Sequence, residues 1–193
     1  MPKIDAPTVA EHHSRRRAAL LAAAGRLIAE QGVAALTLAA VGAAAGLARS
    51  SVYQYFDSTP ALVAAVVEEA FARTDQQLQA AVDPTDTPDA RIDAYVRFAL
   101  KAAAEPTNRA IHQLGHADLP PNCRARLAEL HREQYAPLRE AVAELRVPDP
   151  TLTTALVLGI IGAAVQAVTQ GSPLSRVQRR TLQLIRTGLD SPK

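Results

Sequence analysis

The chain has 193 residues, 48% of them apolar, 21% charged and only 4% aromatic, with a formal net charge of +2. That length and apolar content suit one or two small domains with a buried core and exclude a wholly disordered chain, while so small a net charge does not by itself mark a nucleic-acid or membrane surface. A single cysteine, Cys123, excludes an intrachain disulfide and any CxxC zinc site, and fits a reducing, cytoplasmic setting.

Residues 1–14 read as a flexible N-terminal arm: Pro2 and Pro7 interrupt it, no apolar period runs through it, and it has no apolar signal segment. Ser14 is placed to cap a first helix. In that helix Leu20, Ala24, Leu27 and Ile28 recur at i, i+4, i+7 and i+8, the stripe of an amphipathic helix. Gly32 stands where such a helix ends. Thr37 is a good N-cap for a short second helix, Leu38 to Ala45, which Gly46 breaks. Residues 49–55 can form a third helix about two turns long. Two short helices around a glycine turn make a helix-turn-helix pattern.

Thr59-Pro60 is the next start signal, a hydroxyl cap followed by proline, and the spacing predicts a long helix from there to Val82. The stretch DPTDTPD (83–89) reads as a linker. Further helices are expected at about 89–104, 107–116, 122–146, 151–170 and 174–189, separated by proline and glycine. No strand is expected, so the fold class is all-α with about nine helices: an arm (1–14), a helix-turn-helix domain (15–59) and a larger helical domain (60–193).

The segment TLAAVGAAAGLARSSVYQYFDSTPAL (37–62) carries the functional signal. It resembles the DNA-binding domain of the TetR family of bacterial transcriptional regulators. The matching positions are Thr37, Val41, Ala45-Gly46-Leu47, Ser51-Val52-Tyr53, Tyr55-Phe56 and Leu62, with residues 15–32 resembling the family's first helix. The residues give independent reasons. A helix that reads base edges in a major groove needs a polar outer face, and Arg49, Ser50, Ser51, Tyr53, Gln54 and Tyr55 supply one. Arg49 suits guanine and Gln54 suits adenine. The resemblance implies that Thr37, Tyr53 and Tyr55 grip phosphates, which fix register. Thr59 replaces a frequent lysine at the start of the fourth helix, where the bare N-terminus still attracts phosphate. Ala48 stands where a Ser or Thr cap is usual, and Gly42 where alanine is usual; each weakens its helix by up to about 1 kcal/mol. The plainer alternative for Tyr53 and Tyr55 is packing on a helical core. Residues 1–60 hold six Lys/Arg against four Asp/Glu, and the remainder holds fifteen of each, so the basic excess lies at this end. Arg15–Arg17 are either a solvated helix start or an arm following the minor groove or backbone of DNA.

The larger domain gives weaker signals. His112 and His116 lie four apart on one helix face, a spacing that can hold a metal if His131 or Asp118 joins them, or can line a ligand cavity. No metal or other cofactor is expected, and no GxSxG, P-loop, HExxH or dinucleotide fingerprint marks an enzyme. Tyr95, Phe98, His112, His116, Tyr135 and Gln166 are the candidate pocket residues. Residues 151–170 carry no charge, but six Thr and Gln residues and two glycines interrupt them, which favours a buried or subunit-contacting helix over a membrane span. The resemblance implies that the last two helices pair with those of a second subunit in a four-helix bundle. Gly159, Gly162, Ala163 and Gln166 form a small-residue stripe on one, and Leu182, Ile185 and Leu189 an apolar stripe on the other. The alternative is that both serve only the subunit's own core. The expected protein is thus a homodimeric repressor on a double-stranded, pseudopalindromic operator, its reading heads about 34–36 Å apart, released by an unidentified small-molecule effector. A DNA-binding activator or regulator without a ligand is the alternative.

Overall fold

The computed structural model describes residues 9–106, 108–109 and 121–189. In chain order the helices are α1 (Val9–Gln31), α2 (Leu38–Ala44), α3 (Arg49–Val52), α4 (Thr59–Val82), α5 (Pro88–Ala104), α6 (Pro121–Gln134), α7 (Ala136–Glu144), α8 (Pro150–Thr169) and α9 (Leu174–Leu189), with a 3-10 turn at Val33–Ala35. Every regular element among the described residues is helical, as expected.

Local chemistry sets most starts. The Thr37 hydroxyl accepts from the Ala40 amide at 3.0 Å, Thr87 from Ala90 at 3.2 Å, and the Asp149 carboxylate from Leu152 at 2.9 Å. Pro88 and Pro150 follow their caps directly, where a missing N–H costs nothing. The fourth helix starts one residue earlier than expected. Ser58, not Thr59, is its cap, accepting from Ala61 at 3.2 Å, so Thr59 lies in the first turn.

Three other boundaries differ from the sequence reading. α1 begins at Val9, so Ser14 lies inside a helix rather than capping it, and residues 9–14 are not an arm. Residues 10–19 of this helix are all exposed, so no core packing holds its first turns. The third helix is α-helical only to Val52, after which 53–55 tighten into turns, with Tyr55 N–H donating to the Val52 carbonyl at 2.9 Å. The single helix expected at 122–146 is two, because Pro137 cannot donate to the ladder and its ring crowds the preceding turn. The helix expected at 107–116 lies almost wholly outside the described residues, and His112 and His116 with it.

Two apolar cores result. Leu20, Ala24 and Ile28 of α1 meet Val41, Val52, Phe56, Leu62 and Val66 in the first. Ile92, Val96 and Leu100 of α5 are central to the second, packed against Leu138 and Val142, Val157 and Ile161, and Leu182 and Ile185. α4 belongs to both, with Leu62 and Val66 in the first core and Leu78 and Val82 in the second. α5 is further tied to α7 by an Arg91–Glu144 ion pair at 2.7 Å and to α9 by Asp93–Arg186.

The last two helices split their stripes unequally. On α8, Gly159, Gly162, Ala163 and Gln166 are exposed, in line with Leu152 (55% exposed) and Leu156 (60%). α8 has the length and hydropathy to cross a membrane, but its other face, through Thr154, Val157, Ile161, Ala164 and Val168, is buried in this domain. On α9 the expected stripe points the other way. Leu182 and Ile185 are buried in the subunit's own core, and Leu189 is half-buried against it, because α9 packs that face on α5 and α8. The exposed apolar residue there is Leu184.

Candidate nucleic-acid interface and ligand cavity

The reading head is assembled from a small buried platform. Val41 and Val52 are fully buried, and Phe56 and Leu62 nearly so; together they clamp α3 between α2 and α4. Gly46, at φ 69, turns the chain between α2 and α3, a backbone state that costs glycine nothing. Gly42 has a second purpose that helix propensity does not reveal. A Cβ there would lie 2.8 Å from Val52 Cγ2 and 3.0 Å from the Leu47 carbonyl oxygen, so its absence lets α2 and α3 pack closely. Ala48 occupies the N-cap position of α3 and offers no side-chain bond, as its methyl group dictates.

This platform leaves Arg49, Ser50, Tyr53 and Gln54 exposed side by side, with Ser51 half-buried. Arg49 donates to the Tyr53 hydroxyl at 3.1 Å and lies 5.8 Å from that ring's centre, so the two side chains form one unit. Tyr55 is not fully outward. It is half-buried against the first core, and the His13 ring stacks on it at 4.5 Å. Arg17 lies over Phe56 at 5.6 Å, joining the basic start of α1 to the same surface. Thr37 is exposed; its oxygen caps α2 as an acceptor, which leaves its O–H proton available to donate outward. Thr59 is half-buried in the first turn of α4. The described part of this face is polar and basic, with exposed hydroxyls and the Arg49 and Arg17 guanidiniums, a set that can bond phosphate oxygens and base edges.

The second feature is a cavity of about 380 Å³ among α4, α5, α6 and α8. Val67, Ala70, Phe71, Thr74 and Leu78 of α4 form one wall. Tyr95, Phe98, Ala99 and Ala102 of α5 form another, with Leu127, His131, Gln134 and Tyr135 opposite and Leu158, Ile161, Gly162 and Val165 from α8. Gln134 donates to the Phe71 carbonyl at 3.4 Å, and the His131 ring meets the Phe71 ring edge-on at 4.8 Å, so α6 is held to α4 beside the cavity. His131 Nδ1 lies 2.9 Å from the Leu127 carbonyl oxygen, which places the ring proton on Nδ1 when the ring is neutral. Burial holds the Tyr95 phenol well above its ordinary pKa, with Tyr135 adding to the effect, and burial raises Tyr135 as well; both are neutral hydrogen-bonding groups around pH 7.

Of the pocket residues expected from sequence, Tyr95, Phe98 and Tyr135 line this cavity. Gln166 does not: it is exposed on the outer face of α8, about a quarter-turn around the helix from the lining residue Val165 and one turn beyond Gly162, at the cavity's edge. His131, weighed in the sequence only as a metal ligand, is a wall residue, and Phe71, Asn108 and Gln134 were missed. The stripe Val67, Ala70/Phe71, Thr74, Leu78 on α4 is a legible signal, since it continues an apolar face past the end of the first core. No group of three or more potential metal ligands occurs among the described residues.

Residues 20–66, which hold the whole platform and reading head, match the model of bacterial regulatory proteins of the tetR family. Over this segment the chain is similar to the tetR family. A curated relative, the HTH-type transcriptional regulator BetI of Rhizobium meliloti, is 30% identical over 102 residues, 53% of this chain and 47% of its own length. The chain thus spans about half the length of that relative. Solved tetR-type structures extend the likeness of fold to the second domain. A TetR transcription regulator from Haloarcula marismortui superposes with a TM-score of 0.80 at 19% identity, covering 92% of this chain and 97% of that one. FadR of Bacillus subtilis, solved in complex with stearoyl-CoA, gives 0.75 at 18% identity over 89% and 98%. The family match covers the platform that the resemblance seen in the sequence covers, and the tetR fold accounts for an N-terminal helix-turn-helix joined to a helical second domain.

Proposed function

We propose that this chain is a transcriptional regulator, a repressor that binds a pseudopalindromic operator as a homodimer and leaves it when a small molecule enters the cavity. The observation that carries the reading is the polar outer face of α3, with Arg49, Ser50, Tyr53 and Gln54 held on a buried platform inside the tetR-matched segment. Arg49 and Gln54 read bases; Thr37, Ser51, Tyr53, Tyr55 and Thr59 hold phosphates. Such a regulator works in the bacterial cytoplasm and needs no catalytic group.

The dimer forms through the exposed face of α8, where Leu152 and Leu156 flank the small residues Gly159 and Ala163, with Leu184 of α9 beside them. Apolar side chains of this size left in water favour a covering partner. The effector acts through α4. Phe71 sits on the cavity wall, roughly one and a half turns beyond Val66 of the reading-head core, within one uninterrupted helix. A ligand that forces α4 away from α6 tilts that helix and changes the spacing of the two reading heads. That a stearoyl-CoA complex exists for a structural neighbour supports a ligand-responsive second domain in this fold.

The test is selection of genomic fragments by the purified protein, repeated with metabolite mixtures. Recovery of fragments sharing an inverted repeat, and their loss in some mixtures, is the expected result. Failure to enrich any sequence at low salt would remove the proposal.

A further inference from the structure

The aromatic residues of this chain are few and confined. It has four tyrosines, three phenylalanines and no tryptophan. Tyr53, Tyr55 and Phe56 belong to the reading head, and the other four, Phe71, Tyr95, Phe98 and Tyr135, all line the cavity. Aliphatic side chains fill the cores elsewhere, with Phe56 the exception in the first core, so walls lined by several rings belong to this cavity rather than to the chain's packing in general.

The charge pattern is equally one-sided. Not one Asp, Glu, Lys or Arg is among the described lining residues. A carboxylate or phosphate ligand would give up its water with no Lys or Arg in that lining to replace it, and His131 already directs Nδ1 at the Leu127 carbonyl. An organic cation would gain attraction from the ring faces, but without a carboxylate this is less than the cost of stripping its hydration. Three polar groups share one wall: His131, Gln134 and Tyr135 lie at i, i+3 and i+4, on one face of the α6 end, while Thr74 and Asn108 donate to the Ala70 and Ala102 carbonyls and Tyr95 stands on the α5 wall. The Tyr135 hydroxyl can donate or accept, whereas the facing walls from α4 and α8 are almost wholly apolar.

From this geometry, and resting on the reading of the cavity as the effector site, we infer that the cavity takes an uncharged, planar aromatic molecule with one hydrogen-bonding group directed at the Gln134–Tyr135 wall. The cavity's size suits a few fused rings. Rings of the ligand stack on or meet edge-on the Phe71, Tyr95 and Phe98 rings, which shape the cavity for flat rather than puckered hydrocarbon.

The test uses the full chain and matched probes: 2-naphthalenemethanol, 2-naphthoate, 2-naphthylmethylammonium and the saturated decahydro-2-naphthalenemethanol. With no tryptophan in the chain, naphthalene emission anisotropy reads binding directly; calorimetry reads the saturated probe. The aromatic alcohol is expected to bind at least about tenfold more tightly than either charged analogue and several-fold more tightly than the saturated one. Ala102→Leu, which fills the cavity, is expected to abolish that binding, and Tyr135→Phe to weaken the alcohol alone. Equal or tighter binding of a charged probe overturns the inference, as do equal binding of the saturated alcohol, no binding of any probe, or full binding by a folded Ala102→Leu protein. If the alcohol binds with the expected preference but operator DNA stays bound, the ligand class stands and the release mechanism of the proposed function fails.

Discussion

The two ends of α4 serve two kinds of site. At its N-terminal end the reading head is built from residues 37–62, close in sequence, so spacing alone declares it. At its C-terminal end the cavity draws walls from α4, α5, α6 and α8, with lining residues from Val67 to Val165. The first site is a surface displayed by a short buried platform, and its side chains face solvent. The second is a space left between helices whose other faces make the core. The contrast explains why residues 20–66 match a family model while the cavity shows itself only in the fold: a reading head constrains a compact segment, whereas a cavity constrains only volume and polarity spread over distant positions.

The largest expected effect breaks the proposed dimer. Leu152→Glu with Leu156→Glu places charge on the exposed apolar face of α8 and is expected to give monomers by light scattering. Losing the second reading head lowers operator affinity by about a hundredfold or more, with helicity unchanged. Tight operator binding by monomers would place the dimer contact elsewhere. Next in size, Arg49→Ala is expected to cost roughly 1–3 kcal/mol per half-site and to relax preference at the contacted base. Titrations against single-base operator variants measure it, and an unchanged preference would remove Arg49 from base reading.

Gly42→Ala tests the platform beneath the reading head. Helix propensity alone predicts a gain of up to about 1 kcal/mol, but contact with Val52 and the Leu47 carbonyl predicts overpacking that costs about 1–3 kcal/mol. A lowered melting temperature with weakened operator binding is the expected result, and a raised one would show that α3 moves freely. Tyr95→Phe tests the cavity end. The native phenol is held above its unfolded pKa, so its contribution to stability is complete below about pH 10 and falls by up to about 1.4 kcal/mol per pH unit above that. Unfolding curves at about pH 9 and about pH 11 are expected to move in favour of the variant as pH rises, and a parallel loss in both proteins would mean that Tyr95 is not buried. The smallest effect is Tyr53→Phe. It frees Arg49 from the 3.1 Å bond, an exposed contact worth under about 1 kcal/mol, so a double-mutant cycle with Arg49→Ala on operator binding should show weak, positive coupling.

Much of the fold is legible because local signals repeat. Thr37, Thr87 and Asp149 are caps whose chemistry needs no tertiary information, and prolines follow two of them directly. Where tertiary structure decides, the sequence is silent or misleading. Ser14 has the chemistry of a cap but lies within a helix. Leu182 and Ile185 have the spacing of an interface stripe, yet apolar periodicity cannot tell a face turned to its own core from one turned to a partner. Gly42 reads as a weak helix residue until the position of Val52 gives it a reason. The cavity is half legible: Tyr95, Phe98 and Tyr135 stand out as candidates in the larger domain, but only the packing of α6 on α4 adds Phe71, His131 and Gln134.

The central claim is that α3 reads DNA in paired half-sites. Footprinting of the purified protein on its selected genomic fragment tests it most directly. The account predicts protection of two half-sites whose centres lie about 34–36 Å apart on one face of the duplex, lost in the Arg49→Ala protein at concentrations where the wild type protects fully. Protection of the same site by the Arg49→Ala protein and by a Gln54→Ala, Tyr53→Phe protein, at wild-type concentrations, would contradict it.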